Sequence, residues 1–119
     1  MPNKKPTLIP LTKLIPTEAI IPIKTWDEIS AHYNGTIVSI TPIIVYPNLD
    51  LHYLIENGNK RSAFLYFRGH QHIYGYVHPY DSEEVASLET LAKKAQQQGV
   101  HDIEDLSHRV MDLEYLQKS

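Results

Sequence analysis

The segment Tyr53-Leu54-Ile55-Glu56-Asn57-Gly58-Asn59-Lys60-Arg61-Ser62-Ala63-Phe64 decides how the rest of the chain is read. Leu51 to Glu56 is expected to form a strand, Asn57-Gly58-Asn59 has the chemistry of a turn, and a helix is expected from about Lys60 to Arg68, stopping at Gly69. The first helical turn then carries Lys60 and Arg61 at the positive end of the helix dipole, where each cation is unfavourable by about 0.3–1 kcal/mol. A bound phosphate reverses that sign. It would meet the amides from Gly58 to Arg61, the side chains of Lys60 and Arg61, and the Ser62 hydroxyl, with Gly58 letting the backbone come close. Local chemistry leaves a second reading open: Gly58 is only a turn residue, and Lys60 and Arg61 are solvated, with Arg61 paired to Glu56.

Outward from this segment, Thr36 to Tyr46 has the highest β-branched density, and its run Ile43-Ile44-Val45 is expected in a central strand buried on both faces. Pro47-Asn48-Leu49-Asp50 reads as a turn. His72 to Val77 alternates as a strand, with Ile73 and Val77 on one face and Tyr74 and Tyr76 on the other. Toward the N-terminus, residues 1–6 read as a disordered start. Thr7 to Pro16 reads as extended, with Ile9, Leu11 and Ile15 inward. Ile20 to Ile23 is a short β-branched stretch. Thr25-Trp26-Asp27-Glu28 spells a capping box for a helix from Trp26 to about Tyr33, with Gly35 as a left-handed cap.

After Pro79 the pattern changes. Ser82 is the expected N-cap of a helix from Glu83 to Gln98, in which Val85, Leu88, Ala92 and Ala95 share one stripe. Gly99 ends it, and Asp102 starts a last helix with Ile103, Leu106, Val110 and Leu113 on its stripe. The expected organisation is therefore α+β: a small mixed sheet with helices over residues 7–80, and a C-terminal helical hairpin over 81–119 packed on the same domain. Homodimer formation through the C-terminal helices is the competing use of those stripes.

The 119-residue chain, with 42% hydrophobic and 21% charged residues, is of ordinary globular composition and long enough to bury a core without staples. It contains no cysteine, which excludes thiol chemistry and is compatible with a reducing, cytoplasmic setting. A net charge of -3 argues against holding DNA by overall charge, so DNA is admitted as a partner only through a local patch. No run approaches the roughly 20 apolar residues of a membrane helix, so no membrane association is expected.

Three segments together resemble the ParB/sulfiredoxin-like superfamily, including proteins labelled ParB-like nucleases. Asn57-Gly58-Asn59-Lys60-Arg61, followed by Ser62-Ala63-Phe64, is similar to the family's Gly-x-x-Arg turn. Thr41-Pro42-Ile43-Ile44-Val45 looks like its Gln-Pro-Ile-Val-Val strand, and Leu8 to Pro16 resembles its opening segment. The resemblance covers about residues 7–78. It implies nucleotide or phosphoanion binding at Gly58, Asn59, Lys60, Arg61 and Ser62, in a DNA-associated or regulatory role, with a nucleoside triphosphate and Mg as the cofactor it admits. There are departures. Asn59 stands where sulfiredoxins carry a catalytic Cys, which excludes that activity, and where partitioning proteins carry an acidic residue. Only about 40 residues follow, short for a helix-turn-helix module. The alternatives are a metal-dependent ParB-like nuclease using Glu56 as metal ligand, or an interaction module that has lost its ligand.

The histidines suggest no metal site. His72 and His78 on one strand face stand roughly 20 Å apart, and no carboxylate has the spacing to join His70 and His72. A polar, partly exposed sheet face is the expectation. No catalytic residue is assigned from the sequence.

Overall fold

The computed structural model describes residues 5–112. It is mixed α+β. Strands β1 (Thr7–Pro10), β2 (Leu14–Ile15), β4 (Ile43–Pro47), β5 (Tyr53–Asn57) and β6 (His72–Val77) form one sheet in the order β1-β6-β4-β5-β2. β1 and β6 are antiparallel, β6 and β4 parallel, β4 and β5 antiparallel, and β5 and β2 parallel. Ile43-Ile44-Val45 thus occupies the middle of the sheet, as its unbroken apolar pattern requires: Ile43 and Val45 are fully buried.

On one face, Ile9, Ile43, Val45, Ile55 and Ile73 pack against Phe64 and Leu65 of helix α2 (Asn59–Phe67) and Leu106 of helix α4 (Ile103–Ser107). On the other, Leu54, Tyr46 and Ile15 meet Val85, Leu88 and Ala92 of helix α3 (Ser82–Gln97). Burying a Val or Leu side chain contributes roughly 1.5–3 kcal/mol, so the stripe read from the sequence holds α3 on the sheet. Asn59 opens α2 one residue earlier than expected, and β6 begins and ends as read.

Several expectations are corrected by the structure. First, helix α1 spans Ile23–His32, so Thr25 lies inside its first turn and no capping box forms. The preceding strand β3 (Ile21–Pro22) runs straight into the helix, with Pro22 at the N-cap at φ -61°. The helix ends on an extended Tyr33, leaving Gly35, at φ +98°, to the turn beyond. Second, Thr36 to Ile40 never joins the sheet, and Ile37–Ser39 is a 3-10 turn. Thr36 donates from its amide and hydroxyl to Asn34 Oδ1, and Ser39 donates from its hydroxyl to Thr36 O, so short polar side chains meet backbone needs that a ladder would otherwise meet.

Third, a 3-10 turn at Leu11–Lys13 breaks the strand alternation of the opening segment. Ile9 and Leu11 are buried as read, Leu14 is buried beside them, and Ile15 is only partly buried, against α3. Fourth, the second limb of the C-terminal hairpin stops at Ser107. Val110 lies in a short strand β7 (Val110–Met111), parallel to β3, with Ile21 paired to Val110. The Ile21 amide donates to Arg109 O at 2.9 Å, so pairing with β3 captures the segment that periodicity assigns to a helix. The N-cap of α3 is Asp81, whose carboxylate accepts from the Glu83 and Glu84 amides, and Ser82 is its first helical residue. Leu113 and most of the N-terminal 1–6 segment lie outside the described residues. No helix among the described residues is long and apolar enough to cross a membrane.

Candidate functional site

The β5–α2 connection is one residue long. Gly58 takes φ +120°, a left-handed value, and lies so close to β4 that a Cβ there would sit 2.1 Å from Ile43 Cγ2. Only glycine fits. The turn faces a cleft of about 480 Å³, bordered by Glu18, Thr25, Glu56, Gly58, Lys60 and Arg61 among others. As in any helix, the first-turn amides of Asn59, Lys60 and Arg61 have no acceptor within α2.

Lys60 Nζ lies 2.6 Å from Glu18 Oε1, and both side chains are partly exposed. This surface pair answers one of the two charges at the helix start. Arg61 differs. Its Nη2 donates only to neutral acceptors, Pro42 O at 3.2 Å and Asn57 Oδ1 at 3.4 Å, and its buried Nε has no hydrogen-bond partner. Among the described residues no carboxylate lies within ion-pair distance of it, so the Arg61–Glu56 pairing is not formed. Burial pushes the Arg61 pKa below its ordinary value, the mark of a charge with nothing to offset its lost hydration. Glu56 borders the cleft on its own.

Asn59 and Ser62 serve the scaffold. Asn59 is 4% exposed and spends both polar atoms of its side chain on Thr17. The Ser62 side chain is buried, and its hydroxyl donates to Gly58 O at 2.8 Å. Within the turn, Gly58, Lys60 and Arg61 thus border the cleft, where Lys60 is engaged by Glu18 and Arg61 only by neutral acceptors, while Asn59 and Ser62 hold the turn in shape. Sequence reasoning missed Glu18, Thr17 and the Pro42 carbonyl. Thr17-Glu18 sits in a loop with no local motif, so nothing in the sequence marks it as a neighbour of the turn.

The histidines are spread out. His70 Nε2 meets Tyr33 Oη at 2.5 Å, and the Arg68 guanidinium stands 5.1 Å above the Tyr33 ring. His78 stacks on Tyr46 at 4.8 Å, and His72 is exposed at the start of β6. No protein-family model matches the chain, and no curated protein matches it.

Proposed function

We propose that the turn opening α2 binds the phosphate of a nucleotide or another phosphoanion, as the ParB/sulfiredoxin-like resemblance implies. Regulation or a DNA-associated process is the setting we attach to it. One observation carries the reading: Arg61 presents a half-buried guanidinium to a cleft at a helix start, hydrogen-bonded only to neutral acceptors. A phosphate there accepts from the first-turn amides and from the guanidinium together. Arg61 can grip two oxygens, and Lys60 adds a mobile point charge. Gly58 sets the approach, while Asn59 and Ser62 keep the turn rigid.

Titration calorimetry with nucleoside triphosphates, with and without magnesium, tests the reading. Binding in the micromolar to millimolar range is expected. Arg61→Ala should weaken it by about 1.5–3 kcal/mol, the scale of a charge-assisted hydrogen bond. The same variant should leave the stability of the free protein within about 1 kcal/mol, because two bonds to neutral acceptors are lost along with a desolvated charge. Absence of binding at millimolar nucleotide, together with a marked loss of stability in Arg61→Ala, would make the turn structural.

A further inference from the structure

A second cleft, of about 460 Å³, lies between the 17–22 segment and the C-terminal half of α3. It shares two residues with the first cleft, Glu18 and Lys60, which are the two halves of the 2.6 Å ion pair. Its walls are largely apolar: Ala19, Ile20, Pro22 and Leu91, with Lys94 among the polar residues that border it. Ile20 and Leu91, two of the large hydrophobic side chains left exposed, at 37% and 44%, both line this cleft. Lys94 forms no ion pair among the described residues. Each cleft has the size of a small-molecule site.

We infer that the Lys60–Glu18 pair is a latch across one continuous groove, whose ligand is a phosphorylated molecule with an apolar, ring-sized body, the class to which nucleotides belong. This rests on the phosphate reading of the α2 turn and extends it past that turn. The Glu18 carboxylate is the chain's own oxyanion, already seated on a first-turn cation. A partly exposed pair of this kind is weakly held, and a phosphate carrying more charge, and reaching Arg61 as well, displaces it. The apolar body then covers Ile20 and Leu91, removing their surface from water, and Lys94 adds a third cation at the border of the groove. In the unliganded protein Glu18 competes with the ligand, so the latch also sets the affinity.

Calorimetry on the full chain with inorganic pyrophosphate and the four common nucleoside diphosphates tests this. At least one diphosphate should bind about tenfold tighter than pyrophosphate. Leu91→Gln, an exposed helical substitution, should remove most of that advantage while leaving the pyrophosphate Kd within about twofold. Glu18→Gln should tighten both probes several-fold. Three results would overturn the inference alone: pyrophosphate binding as tightly as every diphosphate, an advantage untouched by Leu91→Gln, or Glu18→Gln leaving affinities unchanged or weaker. If no probe binds any variant, the phosphate reading of the turn fails first and the groove falls with it.

Discussion

Thr17 and Asn59, 42 residues apart, hold each other through two hydrogen bonds: the Thr17 amide donates to Asn59 Oδ1 at 2.8 Å, and Asn59 Nδ2 donates to Thr17 Oγ1 at 2.9 Å. The Thr17 hydroxyl in turn donates a hydrogen bond to Ile55 O at 2.7 Å. Both residues are buried. The loop that carries Glu18 is thereby fastened to β5 and to the first residue of α2, which places the Glu18 carboxylate beside Lys60.

That clamp makes a first prediction. Asn59→Ala leaves the Thr17 amide buried without an acceptor and should lower stability by about 1–3 kcal/mol. Thr17→Val removes the hydroxyl side of the same network. A double-mutant cycle read by denaturant unfolding should therefore return a coupling of about 0.5–3 kcal/mol between the two positions. Additive effects would mean that the two residues act separately.

Gly58→Ala should cost more than about 2 kcal/mol, since left-handed backbone strain adds to overpacking against Ile43. The clash distance of 2.1 Å to Ile43 Cγ2 leaves no room for a small adjustment. Thermal unfolding of the variant checks this, and an unchanged midpoint would contradict the geometry of the turn.

At the start of α3, Asp81→Ala should destabilise by about 1 kcal/mol by removing the acceptor for the Glu83 and Glu84 amides. Ser82→Ala should stay within about 0.5 kcal/mol. The pair of variants separates the cap seen in the structure from the one the sequence suggests, and the reverse order of effects would restore Ser82.

Near the C-terminus the His101 amide donates to Asp105 Oδ2 at 2.9 Å, and this bond holds the Asp105 carboxyl below its ordinary value. A carboxylate with a depressed folded pKa stabilises the protein above its unfolded pKa of about 3.9, and that contribution fades as pH falls through the lower folded value. Wild type should accordingly be more stable than Asp105→Asn at neutral pH, and the gap should narrow steadily in melts recorded at successively lower pH below the unfolded value. A gap that persists in acid would assign the effect to shape instead of charge.

The features legible in the sequence are those whose cause is local. The bounds of β6 follow from strict alternation between flanking turn residues. The buried set Val85, Leu88, Ala92 and Ala95 follows from helical spacing, and the strand–glycine–helix order at Gly58 follows from turn chemistry. The two cations at the α2 start were legible for the same reason, because a helix dipole acts over its first turn. The tertiary structure alone decided where distant segments meet. Pairing of β3 with β7 took Val110 out of a helix it was patterned for, and α1 begins directly after β3, at Ile23. The local bonds of Asn34, Thr36 and Ser39 kept a β-branched stretch out of the sheet. Arg61 turned to Pro42 rather than Glu56, and Lys60 found Glu18. Each of these depends on a contact across the chain, whose free energy appears only once loop closure has brought both partners together, and no window of neighbouring residues encodes it.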